Sequence, residues 1–217
     1  FISISNKLPE KLRNNNKAGI LIFRSVKNNK KKDSIKKKFI IGLNKKEADK
    51  LYLEQENINY DEKYWDNRRK KTLNKRARYN IVFGKEKINH SNDYKQCSVI
   101  AFKDLKYLNK FKKRLKLILG EKTKKLNAEG NKYFHENSGI GYHGDAERKI
   151  VICLSLGKST TLRYHWRLPG SSDHTFEPTD IKLNHGDVYI MSEKATGWDW
   201  KLRSKVRVVH GAGIKYI

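Results

Sequence analysis

His143 and Asp145 lie two residues apart in the stretch GYHGDAERKIVICLSLG, which spans residues 141–157. Successive side chains of a β-strand alternate between faces, so residues two apart point the same way. The pair can therefore aim a ring nitrogen and a carboxylate oxygen at one point. That is one arm of a facial site in which two histidines and one carboxylate hold a metal and leave its other positions open. The competing reading is a polar strand end, because a polar chain with seven histidines meets an H-x-D pair by chance.

Such an arm needs strands to carry it. After Asn127 short apolar runs follow at short intervals: KIVICLSLG, TTLRYHWRL, DIKL, DVYIM and KVRVVHGAG. Gly, Pro, Asp and Ser punctuate them, the pattern of an antiparallel sandwich or barrel. Upstream, Leu105, Leu108, Phe111, Leu115, Ile118 and Leu119 recur at helical spacing, so residues 102–119 are expected to form an amphipathic helix stopped at Gly120. NKKEADKLYLEQ (44–55) has Asn44 as a candidate N-cap and Glu47 in the capping-box position. AGILIFRSV and KFIIGL, within 18–43, have the composition of two strands joined by the basic tract KNNKKKDSIKKK.

Formal net charge is +26, and the excess sits mainly in residues 1–150, with 39 Lys/Arg against 17 Asp/Glu. Such a field favours a polyanion, nucleic acid above all, over a membrane surface, since neither terminus offers a basic amphipathic anchor. A Lys- and Asn-rich composition that merely solvates loops is the bland alternative. No apolar run approaches the roughly 18 residues of a membrane span, and no secretory signal is visible. Cys97 and Cys153 form no CxxC pair. A reducing intracellular compartment, cytoplasm or nucleus, and a monomeric chain are the expectations.

The ordered set LNAEGNKYF, GIGYHGDAER, VICLSLG and HGDVYIM resembles the AlkB-like Fe(II)- and 2-oxoglutarate-dependent dioxygenases over roughly residues 70–217. Asn131 and Tyr133 match that family's Asn-x-Tyr pair, Glu147 its acidic position after H-x-D, and Ser155–Gly157 its strand end. MSEKATGWDWKLRSKVRVVHGAG is similar to a divergent branch in large DNA viruses and some protists, which carries a late histidine followed by small residues, like His210–Gly213. The resemblance implies a mostly β, α+β fold: a double-stranded β-helix, or jelly roll, buttressed by helices. It would occupy residues 61–217, with 1–60 a small basic N-terminal extension.

It also implies the site. Fe(II) would be held by His143, Asp145 and a distal histidine, and 2-oxoglutarate by a basic anchor on a late strand. SEKATGWDWKLR, where the distal histidine is usual, contains none. His185 comes too early and His174 falls in a loop, so His210 is the candidate, with Asp199 as fallback ligand. Arg203 matches the cosubstrate arginine; Arg207, four residues on, would share its face on a regular strand, and Lys215 is the alternative if His210 is a ligand. Asn131 and Tyr133 would contact the other end of 2-oxoglutarate. Arg76, Arg78 and Tyr79 match the family's substrate-recognition lid. Trp198 and Trp200 fit packing better than base stacking, and Glu193 a surface role. The implied activity is hydroxylation or demethylation of a base in DNA or RNA, for repair or modification. The rival readings are a non-catalytic nucleic-acid-binding module on a degenerate oxygenase scaffold, and an oxygenase acting on protein side chains.

Overall fold

A computed structural model describes residues 1–25, 41–213 and 215. In chain order its elements are β1 (Ile2–Ser3), α1 (Glu10–Arg13), β2 (Gly19–Phe23), α2 (Lys45–Glu56), β3 (Lys63–Asp66), β4 (Lys71–Asn74), β5 (Tyr79–Gly84) and β6 (Val99–Ala101). There follow α3 (Lys106–Leu119), β7 (Ala128–Lys132), β8 (Ile140–His143), β9 (Val151–Leu154), β10 (Thr160–Arg167), β11 (Thr179–Leu183), β12 (Val188–Met191) and β13 (Arg207–Ala212). The described residues divide into two compact units.

The first unit takes the described residues of Phe1–Lys27, Gly42–Lys45 and Gly139–Ile217. It is a jelly roll of two four-stranded sheets, ordered β1-β2-β12-β9 and β11-β10-β13-β8. Alternation builds the space between them. Along β10, Leu162, Tyr164 and Trp166 are buried while their neighbours are only half-buried. They meet Val208 and Ala212 of β13, Ile181 and Leu183 of β11, Tyr189 and Met191 of β12 and Ile20 of β2 in one core. Each fully buried side chain of this size contributes about 1.5–3 kcal/mol. The Trp166 indole N–H is satisfied by the Ile4 carbonyl at 3.1 Å.

The N-terminal segment is not an appendage. β2 runs antiparallel along β12, with Ile20 opposite Met191 and Phe23 opposite Val188. A pairing between such distant parts of the chain leaves no local trace in the sequence, whereas the GILIF run itself is legible as a strand. The basic tract at 27–38 and the start of KFIIGL lie outside the described residues, and 41–43 form no strand.

The second unit holds the described residues of Asn28–Ile41 and Lys46–Ser138. β5 pairs parallel with β6 and antiparallel with β7. β3 and β4 form a separate hairpin. α3 packs through Phe111 and Leu115 and ends at Gly120, whose N–H donates to the Lys116 carbonyl at 2.9 Å and whose φ of 76° turns the following chain out of the helix. The helix itself starts at Lys106, after a 3-10 turn over Phe102–Asp104. Its first turn has no capping side chain of its own. Glu54 of α2 supplies the acceptor instead, taking the amides of Tyr107 and Leu108 at 2.7 and 2.8 Å. A carboxylate at a helix N-terminus satisfies orphan donors and opposes the helix dipole. Arg114 and Glu47 pair the same two helices a few turns away. No helix among the described residues is long and apolar enough to cross a membrane.

Candidate metal centre

His143 closes β8, and His210 stands directly opposite it on β13. The two rings are 4.5 Å apart, centroid to centroid. Asp145 lies two residues past the end of β8, in the loop that follows, yet its carboxylate reaches both rings: Oδ1 is 3.9 Å from His143 Nε2 and Oδ2 is 3.9 Å from His210 Nε2. One ligand atom from each residue falls within 4.8 Å of the others, and no other such group occurs among the described residues. Ligand atoms at about 2.0–2.2 Å from a first-row ion stand about 3 Å apart on one face, so small side-chain rotations close the set.

Each ligand is held by its surroundings. His143 Nδ1 is 2.8 Å from the Gly141 carbonyl, an acceptor only, so Nδ1 carries the proton and Nε2 presents its lone pair inward. The Asp145 amide donates to the Thr196 carbonyl at 2.8 Å, which fixes the loop. Between the two ligands, Gly144 passes against Gly197 and Trp200 so closely that an added Cβ would lie 2.2 Å from the Gly197 carbonyl oxygen. Gly197 has φ of 68° and itself runs against the Val208 carbonyl. Trp200 is thus packing for the ligand loop.

His210 is buried, and its Nδ1 has no hydrogen-bond partner among the described residues. Its Nε2, 3.9 Å from Asp145, is beyond hydrogen-bond length. Buried imidazoles are normally satisfied, and one that is not marks a functional site or a missing ion. Burial, reinforced by His143 beside it, lowers its pKa to about 3, so the ring is neutral and its lone pairs available, as a metal ligand requires. Opposite it on β10, Tyr164 is wholly buried, its ring 5.5 Å from that of His210 and its hydroxyl unpartnered. Burial, with Cys153 and Asp145 nearby, holds that phenol well above its ordinary pKa. Cys153, facing the same core, is pushed up to about 11 by burial. Gly144, Gly197 and Tyr164 do not stand out in the sequence; for Tyr164 the alternation in TTLRYHWR was the available signal.

The arginines are corrected by the structure. β13 begins at Arg207, so Arg203 lies outside the strand, exposed on a turn, donating to the Gly170 carbonyl at 2.9 Å. The two therefore do not share a strand face. Arg207 is buried, three residues from His210, and so on the opposite face of the sheet. Its guanidinium donates to the carbonyls of Leu168 at 3.1 Å, Trp200 at 3.3 Å and Ser171. It clamps the chain around β13.

Other candidates find ordinary roles. Asp199 pairs with Lys194 at 2.5 Å and does not join the ligand set. His174 stacks on His165 at 4.0 Å, and His185 accepts the Gly157 amide at 2.9 Å. Glu193 pairs with Lys149 at 3.4 Å, and Glu147 with Arg148 at 3.5 Å. Trp198 lies under the Lys149 ammonium at 5.3 Å. In the second unit, Asn131 is exposed on β7, and Tyr133 is exposed one residue past its end. Arg78 donates to Asn131 at 2.6 Å, Tyr79 stacks on Phe134 at 4.0 Å, and Arg76 is exposed.

A jelly roll with two histidines and one carboxylate gathered on one face has the ligand set of the mononuclear non-haem iron oxygenases. The comparisons agree. The 2OG-Fe(II) oxygenase superfamily matches residues 37–196, and the chain belongs to that superfamily. An uncharacterized protein of Acanthamoeba polyphaga mimivirus is 40% identical over 169 residues, covering 76% of this chain and 64% of that protein. The chain thus spans less than two thirds of that relative's length. The family's cofactors are Fe(II) and 2-oxoglutarate, and the His143, Asp145 and His210 set can hold the iron.

Proposed function

We propose that the chain is the catalytic part of an AlkB-like dioxygenase that hydroxylates a base-borne carbon in nucleic acid, an N-methyl group being the simplest target. The observation that carries the catalytic part is the meeting of His143, Asp145 and His210, two of them from facing positions on neighbouring strands. A complete ligand set favours an enzyme over a binding module on a degenerate scaffold. Fe(II), when bound, would couple oxidative decarboxylation of 2-oxoglutarate by O₂ to hydroxylation of a C–H bond, releasing succinate and CO₂.

The chain's own part is positional. His210 offers a neutral ring nitrogen, and the Gly141 carbonyl fixes which nitrogen of His143 faces in. The Thr196 carbonyl and the packing of Gly144 on Trp200 hold Asp145 on the same point. Tyr164 stays protonated, so its hydroxyl brings no charge to that face. Asn131 and Tyr133 are proposed to contact 2-oxoglutarate, and Arg76, Arg78 and Tyr79 the nucleic acid. Arg203 and Arg207 are engaged with backbone carbonyls and do not serve as cosubstrate anchors. The net charge of +26 supports a polyanionic substrate. A reducing intracellular compartment suits an Fe(II) site and two unpaired cysteines.

The test is turnover after anaerobic loading with Fe(II). Succinate release is measured with single- and double-stranded DNA and RNA oligonucleotides carrying N-methylated or unmodified bases, with mass spectrometry of the bases. Succinate formation coupled to a mass change in one oligonucleotide class is expected. Succinate release that no oligonucleotide stimulates, but lysine-rich peptides do, would move the substrate to protein.

A further inference from the structure

A cavity of different character lies wholly in the second unit, between the β3–β4 hairpin and the loop leading to β6. It measures about 610 Å³ and is lined by Tyr64, Trp65, Asn67, Lys70, Tyr94 and Lys95 among others. That volume is within the roughly 300–1,000 Å³ of ordinary ligand pockets. Tyr64 is 40% exposed, and Trp65 and Tyr94 are half-buried; one face of Tyr94 stacks on His90 at 4.1 Å and one face of Trp65 lies under Lys95, and the remaining aromatic surface lines the cavity.

The walls are fixed in advance. Asp66 accepts the amides of Arg68 and Arg69, each at 2.9 Å, and so shapes the hairpin turn. Thr72 donates to the Asp93 carbonyl at 2.7 Å, tying the loop to β4. Ser91 donates to the Asp93 carboxylate at 2.7 Å, and the Tyr94 amide to the Ser91 carbonyl at 2.9 Å. Lys70 and Tyr94, with φ of 52° and 58°, are the two non-glycine residues with positive φ among the described residues, and both line this cavity. Glycine or asparagine suits such a conformation better; it persists for a bulky side chain only where the surroundings impose it.

Charge surrounds the aromatic surface. Residues 61–97 contain 11 Lys/Arg against five Asp/Glu. Asp61 is buried on Ser98, Asp66 is occupied by turn amides, and Asp93 is paired with Lys95. Arg68, Arg69, Lys70 and Lys71, at the hairpin tip, are exposed and make no ion pair among the described residues. Lys95 stands 4.5 Å over the Trp65 ring. Exposed rings beside unpaired cations suit a ligand that alternates flat apolar faces with negative charges.

We infer that this pocket is a base-stacking site for single-stranded nucleic acid, with Trp65, Tyr64 and Tyr94 receiving an unpaired base and Arg68, Arg69, Lys70 and Lys71 its flanking phosphates. Rings accept any base, so the site gives affinity for unpaired strand without reading sequence. A duplex hides its base faces and cannot use it. The inference deepens the proposed function and rests on its nucleic-acid part. It adds a place where strand is held by residues other than the iron ligands.

The experiment is fluorescence anisotropy of the whole chain with a labelled 15-nucleotide single strand, the same strand annealed to its complement, and an abasic strand of equal length. The wild-type chain is expected to bind the single strand about tenfold tighter than the abasic strand. Trp65→Leu and, separately, Tyr94→Leu erase that preference while leaving the salt dependence unchanged. Lys70→Glu with Arg69→Glu lowers the salt slope by about 0.7 for each phosphate no longer neutralised and keeps the preference. Thermal midpoints and oligonucleotide-independent succinate release stay at wild-type values in all variants. Single-strand preference that survives both aromatic variants overturns the pocket and leaves the substrate reading standing. A wild-type chain that binds no nucleic acid, or binds abasic and normal strands alike, overturns the inference, and the first of these removes the substrate reading as well.

Discussion

Gly144→Ala is the sharpest perturbation of the ligand loop, because the residue links two ligands through its peptide bonds and supplies no ligand atom itself. Its new Cβ would sit 2.2 Å from the Gly197 oxygen and 2.7 Å from Trp200 Cδ1. Non-bonded carbon contacts are comfortable near 3.5 Å, so the crossing must open by about 1 Å. The other side cannot give way cheaply, since Gly197 is packed on the Val208 carbonyl. The displacement therefore reaches Asp145, whose amide is anchored on Thr196, and the β13 strand that carries His210. Overpacking of this kind costs about 1–3 kcal/mol of stability. A misplacement of about 1 Å costs on the order of 10²-fold in turnover. The assay is anaerobic titration with Mn(II), a redox-silent probe, followed by electron paramagnetic resonance, beside thermal melts and succinate release. Gly170→Ala is the control, because nothing lies within 4 Å of its Cβ; its φ of 76° is positive whereas that of Gly144 is not, so the control carries the backbone strain without the clash. A folded Gly144→Ala chain that binds Mn(II) and turns over like Gly170→Ala would refute the reasoning.

Four further outcomes concern the contacts around the site and the helix pair. His210 has a folded-state pKa of about 3 against an ordinary 6.5, so between those values the unfolded metal-free chain binds the extra proton. This contribution to stability is full above pH 6.5 and is lost as pH falls toward 3, at about 1.4 kcal/mol per unit; His210→Gln should flatten the urea-unfolding profile over that range, and an unchanged slope would contradict the burial argument. Arg207→Lys loses the fork that joins Leu168, Ser171 and Trp200 and should cost about 3 kcal/mol in urea unfolding. Arg203→Ala should cost less than about 1 kcal/mol and leave 2-oxoglutarate affinity, measured by calorimetry, unchanged; a tenfold loss there would restore it as the anchor. Glu54→Gln removes the charged acceptor from the first turn of α3 and should cost about 1 kcal/mol, read as a fall in thermal midpoint that salt reduces.

What the sequence made legible was local. Short apolar runs broken by Gly, Pro, Asp and Ser marked β9 to β13, and the helical stripe with Gly120 after it marked α3 to within a turn. The two-residue spacing of His143 and Asp145 suggests a ligand pair, and the family resemblance around it selects that reading, even though Asp145 falls beyond the strand end. His210 rests in sequence on elimination and on the resemblance to a branch with a late histidine before small residues, since cross-strand register with His143 is a tertiary fact. The errors share that origin. Arg203 was assigned to a strand that begins four residues later, because RSKVRVV carries no mark of where pairing starts. Residues 1–60 were set apart because nothing in GILIF names β12 as its partner. Tyr164 was hidden because a buried phenol without a partner looks, in sequence, like any other core aromatic.

The central claim is that His143, Asp145 and His210 together form one iron site. The direct measurement is Fe(II) stoichiometry and affinity under anaerobic conditions for the wild-type chain and for His143→Ala, Asp145→Ala and His210→Ala, each checked for retained fold by circular dichroism. One Fe(II) per wild-type chain is expected, with affinity reduced at least tenfold in all three variants. Wild-type iron affinity in folded His210→Ala would contradict the account.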